Sequence, residues 1–250
     1  MTEVDVRERV KERIKKYWDS RGNSYDKSPG HSGLRDVWRD ILTPVFREEM
    51  KILDVGTGTG FIALLLAELG HEVVGIDISE GMLEVARKKA SKAGLKVEFK
   101  LGDAENLPFE DESFDAVISR HLLWTLPNPQ KAVEEWKRVT RWKIVAIDGS
   151  WFSKSLSTRL RRLVGQIAIA ICERRIPWRH YGKEIDEMLP LKGNSTPENV
   201  ATVFRSAGLR SISVKDLSWV RRMILEEQPF FYRFAWVNKA YFMVEGFKEV

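Results

Sequence analysis

A single cysteine, Cys172, is all that 250 residues contain, so neither an internal disulfide framework nor a multi-cysteine metal site can be built from this chain. Cys172 also sits in an apolar run, where a buried thiol stays protonated and makes a poor nucleophile. The four histidines, His31, His71, His121 and His180, show no ligand spacing, so no metal is required. Long hydrophobic runs are missing too. The longest, residues 163–172, covers about ten positions, too few to span a bilayer. The opening stretch MTEVDVRERVKERIKK is charged where a secretory leader would be apolar, and the expectation is a cytoplasmic protein. Asparagine and glutamine are scarce while 31% of residues are charged, a thermophile-like bias. Repeats and low-complexity tracts are absent, and the composition is that of a folded globular protein.

The chain is long enough to bury a substantial core, most simply as one domain carrying an insertion. Helical spacing of apolar residues runs over 4–18 and 34–42, separated by a polar, glycine-containing loop at 19–33. From Lys51 the pattern changes to short β-rich runs at 52–55, 72–76, 97–100, 116–119 and 144–147, with helices at 61–69, 81–93 and 130–139. That alternation predicts an α/β fold with a parallel sheet and helices on both faces. It stops at 150–196 and resumes with a helix at 198–207, where Thr196 suits an N-cap and Pro197 the first helical turn. Strands at 211–215 and 241–245 follow.

The interrupting segment carries most of the charge. Between Ser150 and Lys183 stand eight basic residues against one acid, Glu173. Since the whole chain carries +5 and this segment +7, the remainder sums to −2. The segment reads as helical over 157–174, either as a plain solvated face or as a surface for an anionic partner.

The stretch KILDVGTGTG, residues 51–60, carries the chemistry. A strand runs into Gly56, Gly58 and Gly60, and a helix starts at once, a turn whose glycines let a ligand approach closely and offer free N–H groups. A dinucleotide fingerprint needs a small residue where Phe61 stands, and a P-loop needs a Lys-Ser/Thr pair that Phe61-Ile62 lacks. In an open α/β sheet the ligand lies beyond the carboxyl ends of the strands. Four strand ends there are suitably equipped: Asp54 with the glycine turn, Asp77, the segment GDAENLPF at 102–109, and FDAVISRHLLWTL at 114–126.

In that order these segments resemble the class I S-adenosylmethionine-dependent methyltransferase family, small-molecule members with a ubiquinone/menaquinone-methyltransferase-like core in particular. The resemblance covers about residues 50–150. It implies a Rossmann-like, doubly wound, mostly parallel seven-stranded sheet with an antiparallel last strand and a helical insertion after strand 5. The implied cofactor is S-adenosyl-L-methionine, with S-adenosyl-L-homocysteine as product. By this resemblance Gly56, Thr57, Gly58 and Gly60 line the methionine portion and Asp54 meets its amino group. Asp77 holds the ribose hydroxyls, Ile78 and Met82 flank the adenine, and Asp103 with Ala104 contacts its amino edge. Arg120 touches the methionine moiety or the acceptor. The stretch 17–26 resembles the "WD…YD" lid of such enzymes, which makes Tyr25, Tyr17 and Trp18 candidates to close over the sulfonium, where aromatic faces favour a cation. Tyr25, Arg120 and His121 are the catalytic candidates.

Taken singly, several of these residues have plainer readings. A strand-end acid is often a cap, and Ile78 and Met82 read as core. His121 reads as a pocket-wall or core histidine, Trp18 as a staple for the first helix, and His31 as a proton acceptor or a surface residue. One departure is visible, because Val139-Thr140-Arg141-Trp142-Lys143 replaces the family's Leu-Lys-Pro-Gly-Gly turn.

The implied division is an N-terminal helical lid at 1–50, a cofactor core at 51–149, a basic helical acceptor cap at 150–196 and a C-terminal part of the sheet at 197–250. The activated methyl needs in-line alignment above all, and a base only if the nucleophile carries a proton. The acceptor is open between a small molecule, anionic to suit the cap, an RNA or ribosomal component, and a lipid or quinone reached at a membrane surface through 163–172. A non-catalytic cofactor-binding module is the remaining alternative. Asp77→Ala is expected to weaken cofactor binding sharply with the fold intact.

Overall fold

The computed structural model describes residues 3–27, 30–149, 181–228 and 240–249, together with Leu160, Leu163, Val164, Ile167 and Arg233. Of the helix expected over 157–174 these four apolar residues alone are described, and the basic residues of 154–179 lie outside the described residues.

Seven strands form one sheet: β1 (Lys51–Val55), β2 (Glu72–Asp77), β3 (Glu98–Leu101), β4 (Phe114–Arg120), β5 (Thr140–Gly149), β6 (Arg210–Asp216) and β7 (Tyr241–Phe247), in the order β3-β2-β1-β4-β5-β7-β6. The first five pair in parallel, and β7 runs antiparallel between β5 and β6. This is the doubly wound architecture that the β–α alternation implied, with its antiparallel last strand. Strand order reverses at β1, which pairs with β2 on one side and β4 on the other, so a crevice opens beyond their carboxyl ends.

Helices α4 (Phe61–Glu68), α5 (Glu80–Ala93) and α6 (Pro129–Val139) form the crossovers. Helix α4 is apolar on almost every side because the sheet and α3 (Arg35–Leu42) cover it, and Phe61 to Leu66 are all buried. Ser79 caps α5 by accepting from the Met82 N–H, Asn128 caps α6 by accepting from Lys131, and Gly94 ends α5 with a left-handed φ of 67°. One apolar cluster joins α3, α4 and α5 to the sheet, and a second joins α6 and α8 (Pro197–Ser206) to the opposite face. Trp38 and Trp136, both fully buried, anchor the two sides.

Two elements differ from the sequence reading. The loop at 19–33 contains a one-turn helix, α2 (Gly22–Tyr25), and α9 (Ser218–Glu226) appears where no helix was expected. Helix α7 (Lys183–Glu187) lies within the segment 150–196 that was read as helical. The N-terminal helix α1 (Glu3–Asp19) packs Val10 and Ile14 against Tyr181, Ile185 and Leu189, and not against the sheet. Among the described residues no helix is long and apolar enough to cross a membrane, and no cluster of metal-ligating side chains occurs.

Candidate active site

The crevice at the strand ends is a cavity of about 750 Å³, counted to its open mouth. Gly56, Gly58, Asp77, Ile78, Met82, Asp103, Ala104, Arg120, His121 and Tyr25 all line it. The topology thus gathers residues as distant in sequence as Tyr25 and His121, 96 positions apart, around one space.

The glycine turn forms its floor. Gly56, Gly58 and Gly60 have φ values of 69°, 55° and 80°, a region other residues enter only with strain. Gly58 faces open space, since a Cβ there would meet no atom within 4 Å. The expectation of free N–H groups is corrected, however. The Gly56 and Thr57 N–H groups donate to the Ile76 carbonyl at 2.8 and 3.0 Å, Gly60 donates to Thr57 at 2.9 Å, and Gly58 donates to Asp77 Oδ2 at 2.8 Å. The turn serves by close approach, because the neighbouring strand β2, the turn's own Thr57 and Asp77 already occupy these donors. Gly60 and Asp54 stand behind the cavity wall. A Cβ on Gly60 would press on Ala86 and Phe99 at 3.1 and 3.2 Å. Asp54 is 1% exposed and accepts from Thr57 Oγ1 at 2.7 Å. Burial pushes its carboxyl up to about 6.

Asp77 closes the second strand. Besides the Gly58 N–H it accepts the Ser79 N–H on Oδ1 at 2.9 Å, so each oxygen keeps a further lone pair toward the cavity. Burial also raises this carboxyl to about 6, against the pull of those two N–H groups. Asp77→Ala would remove one bond from the glycine turn, to the Gly58 N–H, and one from the start of α5, to the Ser79 N–H.

Next to it, Asp103 accepts the Glu105 N–H at 2.9 Å and pairs with Lys11 at 2.6 Å. Lys11 Nζ also lies 2.9 Å from buried Glu105. Burial works against the lysine charge, but the two carboxylates outweigh it and hold the Lys11 pKa above its ordinary value.

The roof comes from the N-terminal segment, whose Lys11, Ile14, Trp18 and Tyr25 reach the cavity. Its two aspartates latch it down. Asp19 accepts from Ser79 Oγ at 2.7 Å and from the Gly81 N–H at 3.1 Å, and Asp26 accepts from Thr59 Oγ1 at 2.7 Å and pairs with Lys89 at 2.5 Å. Gly22 permits the docking, because a Cβ there would strike the Gly81 carbonyl. Tyr17 packs edge-on against Tyr181 at 5.0–5.1 Å from its ring neighbours and stays off the cavity wall. Trp18 does both jobs: it meets the Tyr25 edge at 5.7 Å and lines the cavity.

At the far end stands Arg120, half-buried, with its guanidinium 4.5 Å from the Phe61 ring centroid and 5.1 Å from Trp38. Nη2 donates to the His31 carbonyl at 2.5 Å, while Nη1 has no hydrogen-bond partner among the described residues. Burial lowers the Arg120 pKa, yet a guanidinium stays charged across the physiological range. His31 stacks on Tyr25 at 4.0 Å and donates Nδ1–H to the Tyr25 carbonyl at 3.0 Å. Burial drives the His31 imidazole down to about 3 and the Tyr25 phenol up to about 12. Near neutrality both are uncharged, and neither is a competent base.

His121 is one of four described non-glycine residues with a left-handed φ, at 62°, and its N–H donates to the Ile147 carbonyl at 2.8 Å. Its Nδ1 lies 3.8 Å from Oδ1 of Asp148, a carboxylate 1% exposed at the end of β5, and its ring is 5.0 Å from Tyr241. Sequence reasoning missed Asp148, Tyr241 and Lys11. Asp148 at least had a signal, since it too is an acid at a parallel strand's carboxyl end. Lys11 had none, being 92 residues from its partner.

The fold is the one shared by class I S-adenosylmethionine-dependent methyltransferases of known structure. Residues 53–143 match the methyltransferase-domain family. The chain is 42% identical over 113 residues to a demethylmenaquinone methyltransferase of Clavibacter sepedonicus, a match covering 44% of this chain and 45% of that protein. The chain thus spans about half the length of the curated relatives it matches. Among solved structures, phosphoethanolamine N-methyltransferase 2 of Haemonchus contortus in complex with S-adenosyl-L-methionine superposes with a TM-score of 0.68 at 19% identity, covering 96% of this chain and 60% of that one. A SAM-dependent methyltransferase of Aquifex aeolicus gives 0.59 at 21%, covering 90% and 97%. At such identities these two establish the shared fold.

Proposed function

We propose that this protein binds S-adenosylmethionine in the cavity and passes its methyl group to a small-molecule acceptor enclosed by the N-terminal segment and residues 150–196. One observation carries the reading. A guanidinium whose buried Nη1 has no hydrogen-bond partner among the described residues stands at one wall of a cavity whose other wall holds a half-buried carboxylate with lone pairs to spare. A buried donor left unpaired costs free energy, and a ligand carboxylate relieves that cost. The residues fit the cofactor in other respects: Gly58 leaves room for close approach, Asp77 accepts ribose hydroxyls, and Ile78, Met82 and Ala104 offer an apolar slot for the base.

When bound, the cofactor supplies an activated sulfonium methyl. The chain's own residues then align and enclose. Arg120 anchors the amino-acid end, Asp77 the ribose, and Trp18 and Tyr25 present aromatic faces beside the cation and exclude water. The basic residues of 150–183 support an acceptor bearing negative charge. The name of the Clavibacter relative, a demethylmenaquinone methyltransferase, supports a quinone-type acceptor.

The test is incubation with methyl-labelled S-adenosylmethionine and a cell extract fractionated into metabolites, lipids and RNA, beside calorimetry of cofactor binding. Micromolar binding with label in a small-molecule or lipid fraction is expected. Label in RNA would redirect the acceptor, and failure to bind the cofactor would overturn the proposal.

A further inference from the structure

We infer that Lys11 is a specificity-determining residue of the cavity: from the N-terminal helix it fixes Asp103 as an acceptor that selects a ligand base carrying an exocyclic amine. This rests on the function proposed above and gives the roof a part in reading the base.

Lys11 stands on the face of α1 that looks into the cavity, with Ile14 and Trp18 three and seven positions further on. That spacing places an amine on a face that is otherwise apolar. Val10 and Ile14 seat the helix on Tyr181, Ile185 and Leu189, and Asp19 ties its end to Ser79 and the Gly81 N–H. Apolar packing and Asp19 thus already hold α1, without a lysine at position 11. Lysines ordinarily stand in solvent, yet this side chain is only 12% exposed. Its ammonium lies between two carboxylates, 2.6 Å from Asp103 Oδ2 and 2.9 Å from Glu105 Oε2. Glu8, 3.9 Å away on the same helix and largely in solvent, adds little.

The effect of this bridge is felt at Asp103. Its Oδ1 accepts the Glu105 N–H at 2.9 Å and its Oδ2 accepts from Lys11, so both oxygens are pinned and the carboxylate cannot turn. Glu105 is held in its own place, 2% exposed, with Oε1 accepting the Asn128 N–H at 2.7 Å. Each Asp103 oxygen keeps a further lone pair. The carboxylate lines the cavity beside Ile78, Met82 and Ala104, the apolar slot for the base. One ammonium shared by two carboxylates also leaves negative charge in excess at this edge. An N–H of an exocyclic amine is favoured there, whereas a ring carbonyl would set acceptor against acceptor. Without Lys11 the Asp103 carboxylate loses one of its two fixed bonds and turns away from Glu105, and an amine and a carbonyl are then treated more alike.

The experiment is calorimetry on the full chain with S-adenosylhomocysteine and with S-inosylhomocysteine, in which a carbonyl replaces the amine of adenine. The parent should prefer the adenosyl ligand by about 10- to 100-fold in Kd, the discrimination of one well-placed base contact. Lys11→Met should cut that preference to about a fifth or less, and Lys11→Arg, which keeps the charge, should restore most of it. Gly22→Ala, whose Cβ strikes the Gly81 carbonyl elsewhere on the roof, should weaken both ligands alike and leave the preference as in the parent. That contrast separates base reading from mere support of the roof. In an Asp103→Asn background, Lys11→Met should change the preference no further, because the two residues act through one contact. If the Met variant fails to fold, Lys11→Gln, which still hydrogen-bonds Glu105, carries the same expectation. A parent preference below about twofold, a Lys11→Met or Lys11→Gln preference within about twofold of the parent, or an equal loss of preference in Gly22→Ala would overturn the role of Lys11. Failure of the unaltered protein to bind S-adenosylhomocysteine would instead overturn the function on which it rests.

Discussion

The floor and the roof of the cavity are built by opposite means. On the floor, the polar residues lie within a few positions of a strand's carboxyl end, and most of their partners belong to the same or the adjacent turn. Asp77 and Ser79 are two residues apart, Asp103 and Glu105 likewise, and Thr57 lies three from Asp54. On the roof, side chains reach across the molecule: Lys11 to Asp103 over 92 residues, Asp19 to Ser79 over 60, Asp26 to Thr59 over 33. The floor is thus a property of strand–turn–helix units, while the roof exists only once the sheet is formed. A roof held by a handful of polar contacts and one close glycine approach is also the part that can open at low cost.

The strongest break in this comparison is made on the floor. Asp77→Asn keeps the shape but removes the charged acceptor, and cofactor affinity should fall by about 2–3 kcal/mol, roughly 30- to 150-fold in Kd by calorimetry. An unchanged Kd would remove Asp77 from the cofactor site. Gly22→Ala strikes the roof alone. The Cβ meets the Gly81 carbonyl, an overpacking cost of about 1–3 kcal/mol, so Kd should rise roughly tenfold and limited proteolysis within residues 1–33 should quicken. If both stay as in the parent, the roof plays no part in holding the cofactor.

A pH experiment sets the two parts against each other. Asp54 and Asp77 on the floor have pKa values raised to about 6, so the folded state binds their protons more tightly and they favour stability as pH falls from 6 toward 4. His31 on the roof is depressed to about 3, so the unfolded state takes its proton first and stability is lost below 6.5. In the cofactor-free protein, His31→Gln should therefore lose less Tm than the parent between pH 7 and pH 5, or gain. An identical Tm change would contradict a buried, neutral His31. The smallest effect is expected from Asp26→Asn. Its ion pair with Lys89 is partly exposed, so a loss of about 0.5–1 kcal/mol should raise Kd two- to fivefold in low salt and less at high ionic strength.

Much of the floor was legible in the chain because its signals are local. The glycine turn, Asp77 and Asp103 follow short apolar runs, and a helix begins directly after the first turn. Even Phe61, noticed because it rules out a dinucleotide loop, has a positive role as the face against which Arg120 lies. The roof was legible only as a stretch of aromatic and acidic residues. Nothing in it distinguished Tyr17, which packs on Tyr181, from Trp18 and Tyr25, which face the cavity. The helices α2 and α9 were missed for a related reason. A four-residue turn has no periodicity to read, and α9 owes its place to Val220 and Ile224 packing under the sheet.

By itself, then, the sequence determined the layered α/β fold, the crevice at the first strand and most of its floor, because alternating periodicity and strand-end chemistry act over a few residues. Tertiary structure alone decided three things: that the glycine N–H groups are already engaged, that Lys11 and two aspartates bind the roof down, and that His121 meets Asp148. Each depends on how separate strands and helices register against one another, and no local pattern carries that information.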